Sequence, residues 1–229
     1  MNISHNLESI RKRIDDICLQ SGLPVDQVQL LAVSKTRPVS EIEQAFQAGQ
    51  KAFGENYLQE ALEKITTLAD LPLEWHYIGR IQSNKTRPIA EHFDWVHTIS
   101  DIKHARRLSE QRPAHLADLN VCIQVNISED PNKAGVVADQ TIEIGKAIQV
   151  MPRLKLRGLM TIPEATEDPN KTRAFFKKLS ALRDTMNNDG FSLDTLSMGM
   201  SGDMNIAIEE GSSIVRIGTA IFGPRAPVT

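Results

Sequence analysis

The residues of this chain that could do chemistry lie at its two ends. Lys35 directly follows the apolar run Leu30-Leu31-Ala32-Val33-Ser34. A lysine held at the rim of a water-poor cavity has its ammonium pKa lowered by desolvation, and the neutral amine is the form that makes a Schiff base with a carbonyl. The alternative is a lysine whose stem lies on apolar surface while its head snorkels to water. Near the other end, Gly199-Met200-Ser201-Gly202 leads straight into helical sequence at Met204. Backbone N–H groups and the Ser201 hydroxyl can converge there on an anion, with Gly218 and Thr219 as the second half of the cup. Helix capping by Ser201 or Asp203 is the plainer use of the same residues. Arg216 alternates with Val215 and Ile217, so it can point into an interior, where a guanidinium must find partners. It would pair with a core carboxylate or donate to a ring nitrogen of a ligand. A lysine and an anion cup together fit one ligand bearing an aldehyde and a phosphate.

Such residues need a scaffold, and the chain spells one out. Ile3, Leu7, Ile10, Ile14 and Ile17 form one stripe of a helix that Ser21-Gly22-Leu23-Pro24 ends. A compact apolar run of strand length follows at 28–33, and further strands at 51–54, 74–78, 95–99, 120–127, 154–159, 195–197 and 214–217. Helical patterns lie between them: Ile42, Ala45 and Phe46, opened by a Ser40/Glu43 capping box; Leu58 to Leu68; 85–91; 101–108; 138–150; the stripe Phe175, Leu179, Leu182 and Met186; and 204–210. Strands alternating with helices imply a parallel sheet. Eight units without a dividing linker imply a single closed (β/α)₈ barrel, a TIM barrel with an extra N-terminal helix, spanning 1–229 as one domain. An open doubly wound sheet is the competing fold, weakened by the lack of a Gly-x-Gly-x-x-Gly turn after the first strand.

In a barrel, ligand-binding residues sit where strands end, and the loops after strands seven and eight commonly hold a phosphate. Those ends carry Lys35, Asn56, His76, Thr98, Asn126, Met160-Thr161, Ser197 to Ser201 and Arg216 to Thr219.

Composition removes other classes. Of 229 residues, 41% are hydrophobic, ample for a core, and the net charge of −3 lacks the basic excess of a nucleic-acid binder. No apolar run is long enough for a bilayer, and the amino terminus carries no export pattern. Cys18 and Cys122 sit among apolar residues and read as packing thiols, which makes a reducing cytoplasm the expected home. The spacings of His92, His97, His104 and His115 match no zinc site, so these read as surface or capping residues. Arg106-Arg107 and Lys177-Lys178 read as solvated helix faces. We expect a monomer with no nucleic-acid, membrane or metal partner.

Several stretches are more specific: Ala32-Val33-Ser34-Lys35-Thr36, Phe53-Gly54-Glu55-Asn56-Tyr57, Trp75-His76-Tyr77-Ile78-Gly79, Gln82-Ser83-Asn84-Lys85, Gly158-Leu159-Met160, Ser197 through Met204, and Val215 through Gly223. On these the chain resembles, along essentially its whole length, the pyridoxal 5′-phosphate (PLP) homeostasis proteins, whose barrel is that of the alanine racemases (PLP fold type III). Tyr77 and Ile81 are mild departures from the family pattern. The resemblance implies a PLP Schiff base on Lys35, phosphate contacts from Ser201, Gly218 and Thr219, and Arg216 near the pyridine nitrogen. It implies lesser pocket roles for Asn56, His76, Ser197 and Met200.

Alanine racemases carry a second, β-rich domain that supplies a tyrosine. This chain ends at Thr229, shortly after its eighth strand, and holds two tyrosines, Tyr57 and Tyr77, so we expect that domain to be lacking. An arginine at the pyridine nitrogen also weakens the ring as an electron sink. The resemblance therefore implies a PLP carrier in vitamin B6 homeostasis, affecting amino-acid and keto-acid balance, with PLP-dependent apo-enzymes as candidate recipients and no dedicated catalytic turnover. A PLP-dependent racemase or lyase, and an aldolase-like Schiff-base enzyme, are the enzymatic alternatives.

Overall fold

The computed structural model describes residues 2–224. Its strands are β1 (Gln29–Val33), β2 (Ala52–Glu55), β3 (Glu74–Tyr77), β4 (Trp95–Ile99), β5 (Leu119–Gln124), β6 (Leu154–Met160), β7 (Thr195–Ser197) and β8 (Ile214–Ile217). All pair in parallel, in sequence order, and β8 returns to β1 to close the barrel. The helices are α1 (Ile3–Gln20), α2 (Val39–Gln47), α3 (Leu58–Thr67), α4 (Thr86–His92), α5 (Ile102–Gln111), α6 (Ala138–Gln149), α7 (Pro169–Asn188), α8 (Met204–Glu209) and α9 (Thr219–Phe222). The expected eight-stranded barrel with its extra N-terminal helix is the fold observed.

Strand alternation sorts the core into two. Residues of one parity meet the helices in a large outer cluster that includes Leu30, Ala32, Phe53, Trp75, Val96, Leu196 and Val215. The other parity fills the lumen, where Leu31, Ala52, Trp95, Cys122, Met160 and Ile214 pack together. Polar residues share this inner parity: His76, His97, Ser197 and Arg216 are all buried. Gly158, on the inner face, is forced by backbone approach, since a Cβ there would lie 1.7 Å from the Thr195 carbonyl oxygen.

Helix α1 lies outside the alternating pattern and bridges the barrel's seam. Its buried stripe of Ile3, Leu7, Ile10, Ile14 and Ile17 packs on α2 and also on α8 and α9. Burying each such side chain is worth roughly 1.5–3 kcal/mol. Asn6 Nδ2 donates to the Ile221 carbonyl at 2.8 Å and Arg13 to Asn205 Oδ1 at 2.7 Å, while Arg11 reaches Ala48 O at 2.7 Å. The first helix therefore ties both ends of the sheet together.

The Ser40/Glu43 capping box is corrected by the structure. Helix α2 starts at Val39, one residue before Ser40, and its N-cap is Pro38 at φ −69° and ψ 156°, with no side-chain cap. The fixed φ of proline sets the helix entry instead.

Candidate active site at the barrel mouth

Lys35 and Thr36 form the turn that follows β1, and Lys35 is half-buried. Thr36 has φ +63°, the left-handed region that a β-branched residue avoids. Surrounding bonds hold this strained turn. The Thr36 N–H donates to Glu60 Oε1 at 2.6 Å, and Lys64 Nζ donates to the Ser34 carbonyl at 2.8 Å. Both residues flanking Lys35 are thus clamped from α3.

The clamp is itself a buried ion cluster. Lys64 Nζ also donates to Glu55 Oε1 at 2.7 Å and Glu60 Oε1 at 2.5 Å, and the Ser34 hydroxyl donates to Glu55 Oε1 at 2.6 Å. Burial pushes the Glu55 carboxyl above its ordinary value, opposed by the Lys64 charge and its hydrogen bond. Sequence reasoning missed Lys64. Its place three residues after Ala61 and four before Leu68, on the buried stripe of α3, was the available signal.

Asn56 follows β2, and its Oδ1 is buried without a hydrogen-bond partner. Gly79, after β3, presses on it so closely that a Cβ there would lie 2.4 Å from the Asn56 carbonyl oxygen. A buried acceptor left open at the mouth is a place for a ligand's donor.

The β7 and β8 ends adjoin one another and β1. Ser197 registers with Ile214, the Arg216 N–H donates to Gly199 O at 3.0 Å, and a Cβ on Gly218 would lie 3.2 Å from the Val33 carbonyl oxygen. Ser201 and Thr219 are exposed there, and Gly199 sits at φ +99° against Ala207. Asp203 does not cap α8 with its side chain; its Oδ1 accepts from the Met200 N–H at 2.6 Å and braces the turn that carries Ser201. Met200 is exposed and, with Gly202 and Asp203, lines a cavity of about 400 Å³ reaching to Lys133 and Ile162.

Arg216 lies deeper, registered with Leu31 on β1. Its guanidinium donates to Ser197 O at 2.6 Å, Ser197 Oγ at 2.7 Å and Thr161 O at 2.9 Å. No carboxylate is among these partners, so the pairing with a core carboxylate weighed from sequence is not what holds it. Burial pushes it down to about 10, partly offset by Asp203, so the group stays charged at neutral pH.

His76 sits further from the mouth than its strand-end position suggests. Its Nδ1 meets His97 Nε2 at 2.9 Å and its Nε2 meets Glu74 Oε1 at 2.7 Å, so both ring nitrogens already have protein partners. His97 corrects an expectation outright, being fully buried in the lumen with Nδ1 2.8 Å from Ser197 Oγ. Inner-face alternation with Trp95 was the signal for it. Of the other three, His92 and His115 are exposed, and half-buried His104 meets Ser83 Oγ at 3.2 Å. Both cysteines are buried free thiols, as expected.

The donor set suits PLP. An amine at the end of β1 faces the aldehyde's chemistry, Asn56 Oδ1 offers an open acceptor, Ser201 and Thr219 offer hydroxyls, and Gly218 keeps its loop against the strand ends. Among the described residues no cluster of His, Cys, Asp and Glu could hold a metal ion, and no helix is long and apolar enough to cross a membrane.

The model of the alanine racemase N-terminal domain family matches residues 2–226. The chain belongs to this family. Within it, the pyridoxal phosphate homeostasis protein of Pseudomonas aeruginosa is 52% identical over 223 residues, covering 97% of this chain and 96% of that protein. That of Escherichia coli is 46% identical, covering 98% and 97%. PipY of Synechococcus elongatus, solved with PLP bound, superposes with a TM-score of 0.84 at 35% identity, covering 96% of this chain and 100% of PipY. An alanine racemase of Clostridium difficile shares the fold at a TM-score of 0.79 and 13% identity, but the match covers only 57% of it.

Proposed function

We propose that this chain binds pyridoxal 5′-phosphate in the mouth of its barrel and serves intracellular vitamin B6 homeostasis, and through it amino-acid and keto-acid balance. The observation that carries the reading is Lys35, half-buried after β1 in a strained turn clamped by Glu60 and Lys64. The near-full-length match to proteins named for PLP homeostasis, and to PipY with PLP bound, supports it. Bound there, the cofactor supplies an aldehyde that an amine can attack and a ring that can draw electrons. Lys35 provides the amine that holds it covalently. Asn56 accepts from a ring substituent, and Ser201, Gly218 and Thr219 take the phosphate. Met200 shields one side of the mouth. Arg216, oriented by Ser197, donates to the ring nitrogen and keeps that nitrogen an acceptor, which limits the ring's electron-drawing power.

The whole chain, 1–229, acts in this reading as one cofactor-binding domain in the cytoplasm, a monomer that holds and releases PLP without a reaction of its own. PLP-dependent apo-enzymes are its recipients. Purified protein incubated with PLP should be yellow, borohydride should fix the label on the Lys35 peptide, and Lys35→Ala should lose the colour. A yellow, unchanged Lys35→Ala protein overturns the covalent assignment. Racemisation or decarboxylation of common amino acids far above the rate of free PLP would replace the holder reading with an enzyme.

A further inference from the structure

A line of short contacts crosses the lumen from the cofactor side toward the opposite end of the barrel. Arg216 and Ser197 Oγ are 2.7 Å apart, Ser197 Oγ and His97 Nδ1 2.8 Å, His97 Nε2 and His76 Nδ1 2.9 Å, and His76 Nε2 and Glu74 Oε1 2.7 Å. The two imidazoles and the serine are fully buried. Trp95 stacks on His76 with a 5° interplanar angle and centroids 5.3 Å apart, which fixes the ring plane. Glu74 ends the line at the first residue of β3, where it also accepts from Gln29 at 3.0 Å and lines an open cleft of about 590 Å³ with Asp94 and Arg112.

A guanidinium can only donate and an ionised carboxylate can only accept, so the line can run in one sense from end to end. In that sense Arg216 donates to Ser197, whose hydroxyl donates on to His97 Nδ1. His97 then donates through Nε2 to His76 Nδ1, and His76 donates through Nε2 to Glu74. Every bond has the same sense, and such chains strengthen one another in a low-dielectric interior. His97 must be neutral with its proton on Nε2. The ring's burial above all, with the Arg216 charge close by, holds His97 well below the usual imidazole value. The His76 bond holds the Glu74 carboxyl below its ordinary value, consistent with an ionised terminus.

We propose that Glu74, His76 and His97 are positioning residues for Arg216: a one-directional hydrogen-bond chain through the barrel sets the guanidinium's orientation and relays to it the negative charge of a carboxylate at the far end. The proposal rests on the PLP reading for its ligand but not for its geometry. Nitrogen-15 correlation spectra of the full chain without cofactor test the geometry, and both imidazoles should carry a single proton on Nε2 at pH 7. A proton on His97 Nδ1 overturns the chain. Titration with PLP tests the consequence. Glu74→Leu should shift the visible absorbance of the bound cofactor and weaken its affinity on the order of tenfold, about the worth of one hydrogen bond to a charged group. Glu74→Gln, which keeps an acceptor but not the charge, should fall between Glu74→Leu and the wild-type protein in both. Wild-type affinity and spectrum in a folded Glu74→Leu protein overturn the positioning role. If wild-type protein itself takes up no PLP, the functional reading fails, and the imidazole spectra still decide the chain.

Discussion

Replacing Lys64 with methionine should destabilise this barrel far more than loss of any surface ion pair, and more at pH 8 than at pH 5. The Lys64 ammonium is buried and touches Glu55, Glu60 and the Ser34 carbonyl. Lys64→Met keeps most of the side-chain volume, so the cost is electrostatic. It strands the Glu55 carboxyl, which is fully buried and whose Oε2 already lacks a partner. Removing one member of a buried pair costs about 3–5 kcal/mol. Glu60 is partly exposed and adds little. At about 2–4 °C per kcal/mol for a domain of this size, the melting temperature should fall by roughly 6–20 °C. The pH sign follows from Glu55, whose folded value is already raised above the ordinary 4.5 by burial. A raised folded pKa gives stability that is present below the unfolded value and is lost as pH rises through the folded one. Without Lys64 the value climbs further, so the loss deepens toward neutral pH. Thermal unfolding followed by circular dichroism at both pH values, without PLP, reads this out, and Lys64→Met/Glu55→Leu should recover most of the deficit. A drop of under 2 °C, a defect equal at both pH values, or a double variant as unstable as the single one would refute the reasoning.

Two further outcomes are expected. Gly158→Ala should give no soluble folded protein, because its Cβ would lie 1.7 Å from the Thr195 carbonyl oxygen on the neighbouring strand; recovery of a normally melting variant would contradict that packing. Neither cysteine should react with a thiol reagent at pH 8 in the native state, since burial pushes Cys122 up to about 12 and also raises Cys18; both should titrate fully in denaturant, and a fast native phase would argue against the buried placement.

The barrel was legible because strand-length segments alternate with helical stripes along the chain, although the one-turn helix α9 is too short to show a period. Lys35 and Arg216 could be found because a charge among apolar residues needs a reason. What stayed hidden depends on contacts between elements. His97 gave no signal by spacing to other histidines, because its partners His76 and Ser197 lie on other strands. Lys64 pairs with Glu60 one turn away but also with Glu55 on β2, and only the folded register shows that both brace the Lys35 turn. The entry of α2 was misplaced because a proline can set a helix start without a capping side chain.

Helix α1 raises a problem of timing during synthesis. Its apolar stripe leaves the ribosome well ahead of two of its docking partners, α8 and α9, which lie within residues 204–222. At elongation rates of about 5–20 residues per second, the stripe waits roughly 10–40 s for them. The Asn6–Ile221 bond, which spans 215 residues, can form only after that whole span has been made. Until then the nascent chain displays an amphipathic helix covered only in part by α2, so this segment is where a chaperone would engage it.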